Sequence, residues 1–148
     1  MPTPTANQRL LAEARKYLGI KEWPGPKSNP EIAAMFRLAP SWLDQDDSLT
    51  AWCGIFRGTV GHLTATGIPP QHYRAASWLN WGVVVNLDDA IEGDTVVFKR
   101  AGGYHVALFN RHEDGKVWVL GGNQGNAVSI APYSRKDVVG VRRFKESK

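Results

Sequence analysis

The chain has 148 residues, 43% hydrophobic and 22% charged, with a formal charge of +4 and a pI near 9.4. That is enough chain for one compact domain with its own core, and a lone cysteine, Cys53, excludes an internal disulfide framework. A disordered chain is excluded by composition, and no apolar run approaches the roughly 18 residues that cross a membrane.

The expected organisation is a single monomeric domain over residues 1–148, with no membrane segment. The N-terminus lacks the basic start and apolar run of a signal peptide. Its basic residues are scattered apart from "VRRFKESK" at the C-terminus, so nucleic acid is not the expected partner. A modest positive charge suits an anionic envelope. His62, His72, His105, His112 and Cys53 show no paired zinc spacing, so neither metal nor cofactor is expected. "DQDD" (44–47) reads as a solvated loop ahead of a calcium site.

In chain order, residues 5–18 place Leu10, Leu11, Ala14, Tyr17 and Leu18 on one helical face, with Gly19 as a stop. "KEWPGPKSNP" (21–30) is turn-rich. Asn29 caps a second helix with Pro30 at its first position and Glu31 in its first turn. "APSWLDQDDS" is a polar connection. Residues 51–66 form an amphipathic helix with Ile55, Phe56, Val60 and Leu63 inward, ended by Gly67. "HYRAASWLNWG" is a short helical stretch closing at Gly82. Five β-prone runs follow at 94–100, 104–111, 116–122, 127–132 and 138–144, with "AGG" and "HEDG" as hairpin signals. A helical half followed by an antiparallel half of about five strands is α+β.

The chemistry centres on "TAWCGIFRGTVGHL" (50–63). A lone cysteine often serves as a small buried hydrophobe. Here Cys53 opens a helix, where unpaired N–H groups and the dipole lower a thiol's pKa, and Gly54 lets a substrate approach the backbone. A nucleophile needs a base. His105, in "GGYHVALF", starts a strand that can aim it at the helix end, although a strand histidine can also have no role. An orienting group is expected where the next strand returns, in "VLGGNQGN". Asn123 is favoured and Gln124 competes, since neighbouring strand positions face opposite ways. Asn123 also suits a plain turn. His62 lies too far along its helix to be the base, and His112 stands in a solvated turn. Asp94 is a turn acceptor entering a strand. Trp78 and Trp81, three apart, and Trp52 beside the cysteine are core residues or the walls of a substrate groove.

The ordered set "AWCGIF", "EGDTVVF", "YHVALF", "VLGGNQGN", with "GIKEWPGPKSNPEI" and "AASWLNWG", resembles the CHAP/NlpC papain-like superfamily and, within it, a phage- and prophage-associated, endolysin-like branch. The resemblance implies a papain-like fold, with the helices on the sheet, and a cysteine peptidase or amidase acting on peptidoglycan. It puts the nucleophile on Cys53, the base on His105 and the third polar position on Asn123. The implied place of action is the cell wall, reached from the cytoplasm through a phage-encoded pore. Where several CHAP enzymes carry an acid two positions before the asparagine, this chain has Gly121. The expected mechanism is thiolate attack on a peptide or amide carbonyl, with His105 moving the proton and the Cys53 N–H as one oxyanion donor. The alternative is a non-catalytic wall-binding module with an SH3-like β half.

Overall fold

The computed structural model describes residues 3–23, 29–43 and 52–146. Helix α1 spans Ala6–Arg15. Thr5 and Gln8 form a capping box at its start, and Leu10, Leu11 and Ala14 form its buried face. The helix stops short of Leu18, which is 43% exposed rather than inward. Helix α2, Pro30–Met35, begins as the sequence indicates: Asn29 Oδ1 accepts the Glu31 N–H at 2.9 Å, with Pro30 in the first turn. Helix α3 runs Cys53–Leu63 and is buried from Cys53 to Gly61. Leu63, expected inward, sits in its last turn at 54% exposure. "AASWLN" is a 3₁₀ segment, Ala75–Asn80. The loop residues 24–28 and the connection 44–51, including "DQDD", lie outside the described residues.

Among the described residues the second half forms one six-stranded antiparallel sheet. Its strands are β1 (Val83–Val85), β2 (Thr95–Arg100), β3 (Gly103–Glu113), β4 (Lys116–Gln124), β5 (Ala127–Ser134) and β6 (Val138–Arg143), in the order β1-β6-β2-β3-β4-β5. The five expected runs are all strands. The sixth, "VVV", is too short to show alternation and is defined by its pairing with β6.

The helices pack on one face of the sheet. Leu10, Ile32, Phe36, Ile55, Phe56 and Val60 meet Leu108, Leu120 and Val128 in one cluster. Burial of each such side chain contributes about 1.5–3 kcal/mol. A second cluster gathers Val96, Phe98, Ala107, Phe109, Val119 and Val141. After α1 the chain runs along the β5 edge, with Gly19 N–H donating to Val128 O at 2.9 Å and Val128 N–H to Ile20 O at 2.8 Å. Those bonds cover an edge that would otherwise be open to pairing.

Asp94 does more than accept at a turn. Its carboxylate, fully buried, takes the Ile91 N–H at 2.9 Å, Asn7 Nδ2 at 2.8 Å and a two-pronged Arg143 guanidinium at 2.7 and 2.8 Å. It therefore ties α1 and β6 to the start of β2. No helix among the described residues is long and apolar enough to cross a membrane.

Candidate active site

Cys53 is the first residue of α3, where the leading N–H groups have no intrahelical partner. Its side chain packs among Val97, Val106, Ala75, Trp78 and Trp81 and is 4% exposed. Loss of water pushes the thiol's pKa up. The N–H groups of Val106, Gly54 and Cys53 and the charge of Arg100 pull the other way without overcoming it. The resting group is therefore a thiol, and the expectation of a depressed pKa is corrected by burial. Gly54 has a different task from the one expected. A Cβ there would stand 2.6 Å from His72 O and 2.8 Å from Tyr73 O, so the glycine admits the 72–73 backbone rather than a substrate.

His105 lies near the start of β3, next to Val106, and is fully buried. Its Nε2 is 2.9 Å from Gln124 Oε1. The Gln124 amide nitrogen donates to Ser129 O at 2.7 Å and Val119 O at 3.2 Å, which turns the amide oxygen toward the imidazole. An oxygen acceptor requires the proton on Nε2. The lone pair is then on Nδ1, which is buried and has no hydrogen-bond partner among the described residues. The Tyr133 hydroxyl approaches Nε2 at 3.4 Å, and its ring packs against those of Phe98 and His105. The nitrogen held by Gln124 is thus Nε2, and Nδ1 is the one whose lone pair is unengaged.

Burial lowers the His105 pKa to about 4 from 6.5. The unfolded chain then binds more protons than the folded one between these values, so stability falls as pH drops from about 6.5 to about 4 and this contribution levels off below. We expect His105 to cost on the order of 3 kcal/mol over that window. Thermal midpoints of the wild type and His105→Gln, compared from pH 7 to pH 4, should converge as the pH falls. Parallel curves would refute the assignment.

Asn123 and Gln124 exchange places relative to the expectation. Asn123 is left-handed, at φ 58°. In the β4–β5 pairing Gly121 faces Ser129 and Gln124 faces Ala127, so β4 holds one residue more than β5 over this interval. That bulge offsets the alternation and puts Gln124, not Asn123, on the His105 face. The preceding glycines make the arrangement possible. A Cβ at Gly121 would sit 2.7 Å from Ala107 Cβ and 2.9 Å from Gln124 Oε1, and one at Gly122 would sit 2.6 Å from Phe56 Cβ and 2.8 Å from the Trp52 ring. An acid at position 121 is therefore incompatible with Gln124 as placed. Gly121→Ala should displace the Gln124 amide and destabilise the chain by about 1–3 kcal/mol, read by denaturant unfolding. An unchanged midpoint would show the site to be looser than its geometry.

The three tryptophans do not wall a groove. Trp52 and Trp78 are fully buried and Trp81 is 8% exposed. Trp52 Nε1 donates to Glu22 Oε2 at 2.9 Å, Trp78 Nε1 to His72 O at 3.0 Å and Trp81 Nε1 to Thr66 O at 3.2 Å. Trp78 and Trp81 lie against the buried guanidinium of Arg57, at 4.2 and 4.9 Å from their ring centroids. Arg57 also donates to Thr95 Oγ1, and burial lowers its pKa to about 9. No sequence signal pointed to it, because a basic residue on a helix reads as exposed. His72, buried against Gly58 of α3, was also missed. His112 lies in β3, with Arg135 Nη1 2.8 Å from its Nδ1. His62 is in the last turn of α3. No three His, Cys, Asp or Glu side chains among the described residues gather as a metal site.

Helices packed on an antiparallel sheet give the chain an α+β, papain-like fold similar to that of NlpC/P60 proteins of known structure. RipB, a peptidoglycan hydrolase of Mycobacterium tuberculosis, superposes with a TM-score of 0.60 at 19% identity, over 99% of this chain and 74% of RipB. An NlpC/P60 family protein from Bacillus cereus gives 0.58 at 20%, over 97% of this chain and 41% of that one, so the chain spans under half of that relative. RipD of M. tuberculosis, a non-catalytic NlpC/p60 domain protein adapted to peptidoglycan binding, gives 0.56 at 16%, over 97% and 100%. These likenesses show the fold. No protein-family model and no curated protein sequence matches the chain.

Proposed function

We propose that the chain is a peptidoglycan hydrolase that cuts a peptide or amide bond through Cys53. The observation that carries this reading is the state of His105, with Nε2 held by Gln124 and a lone pair on a partnerless Nδ1, one residue from the Val106 N–H that faces the thiol. His105 Nδ1 takes the thiol proton as Sγ attacks the carbonyl carbon. The Cys53 and Gly54 N–H groups, at the open end of α3, stabilise the oxyanion. The same proton passes to the leaving amine as the C–N bond breaks. Water then adds to the thioester, gives a proton back to the thiol and releases a carboxylic acid. Gln124 holds the tautomer throughout. Action at the wall after release through a phage-encoded pore is part of the proposal and rests on the resemblance of the sequence motifs alone.

A second reading is a non-catalytic wall-binding protein. Two observations favour it: the thiol is 4% exposed, and no Cys53–His105 hydrogen bond is formed. RipD, with a similar fold, is described as non-catalytic. Incubation with purified sacculi separates the two. A hydrolase releases soluble fragments and lowers turbidity, whereas a binding protein sediments with intact sacculi.

A further inference from the structure

Arg100 is the last residue of β2, opposite Gly103 across the turn into β3. Side chains two apart on a strand share a face, so Arg100 follows Val96 and Phe98 to the face that holds His105, the register partner of Phe98. Tyr133 packs against Phe98 and His105 on that face. Arg100 is exposed, and its charge is felt by Cys53, His105 and Tyr133 alike. Arg15, Arg111, Arg135 and Arg143 each have a carboxylate partner. Among the described residues Arg100 has none, and no carboxylate is among the charges that act on Cys53, His105 or Tyr133. The site is thus flanked by a cation that no carboxylate among the described residues pairs with.

We propose that Arg100 is a specificity-determining residue, whose guanidinium pairs with a free carboxylate of the substrate beside the scissile bond. This rests on the hydrolase reading for its site and adds the chemistry by which the site selects. A guanidinium meets a carboxylate through two parallel N–H bonds, which a primary amide in the same place cannot reproduce. A substrate carboxylate would also replace water around Arg100 and give it a partner that no described residue supplies.

The test uses two soluble peptidoglycan stem peptides that differ in one group, the carboxylate next to the scissile bond being free in one and amidated in the other. The wild type should prefer the free acid by roughly tenfold or more in kcat/KM. In Arg100→Gln the preference should collapse toward unity, mainly through KM, and Arg100→Lys should restore part of it. An undiminished preference in Arg100→Gln, or none in the wild type, overturns the proposal. Equilibrium binding of both peptides to Cys53→Ala, with and without Arg100→Gln, gives the answer without turnover. Selective binding that depends on Arg100, beside a wild type that cleaves nothing, sustains the proposal and removes the hydrolase reading. Equal binding of the two peptides, or of neither, removes the proposal.

Discussion

Cys53→Ala should abolish release of fragments from sacculi, with a loss on the order of 10⁴ or more, while the chain stays folded. Such a large effect follows from the chemistry assigned to the sulfur, which no neighbour can supply. His62 is near the far end of α3, and no serine or second cysteine stands at the helix start. The structural cost should be small. The thiol lies in an apolar pocket with Val97, Val106 and Trp78, and an alanine leaves a small cavity costing about 1 kcal/mol. Binding to sacculi should survive. An alanine variant with near wild-type release would mean that the cysteine is only a core residue.

His105→Ala should lower turnover by a factor of about 10² to 10⁴, the usual worth of general acid–base catalysis. His62→Ala and His112→Ala should leave turnover within about twofold, because neither position is near the start of α3. Gln124→Ala should fall between. It frees His105 to rotate and strands a buried Nε2–H, which alone costs about 1–3 kcal/mol of stability. Asn123→Ala should be milder in both respects, since Asn123 makes no hydrogen bond to His105; its main cost is a left-handed backbone occupied by alanine. The acid limb of kcat/KM should lie near pH 4, where His105 loses its lone pair, rather than near 6.5. If Asn123→Ala abolished turnover and Gln124→Ala did not, the orienting assignment would be reversed.

The α+β fold was legible because its signals are local and agree with one another. Asn29–Pro30 marks a helix start, and the 3.6 period of Leu10, Leu11 and Ala14 gives way to period two in the second half. The placement of Cys53 and His105 followed from the same cues, at a helix start and near a strand start. What failed depends on the third dimension. Strict alternation cannot anticipate that one extra residue in β4 turns Gln124 rather than Asn123 toward His105. Burial reversed the expected thiol shift and took the tryptophans out of any groove. Gly54 reads as a permissive position in the sequence, but it and the glycines at 121 and 122 are each set by a named neighbour: the 72–73 backbone, Gln124 and the Trp52 ring.

The central claim is hydrolysis of a peptide or amide bond by Cys53. Its most direct test is mass spectrometry of the fragments released from purified sacculi in ¹⁸O-labelled water. Each cut should leave a new amine on one side and, on the other, a carboxylate carrying one labelled oxygen. Neither should appear with Cys53→Ala. New sugar ends in place of these termini, or the same labelled fragments from the alanine variant, would contradict the account.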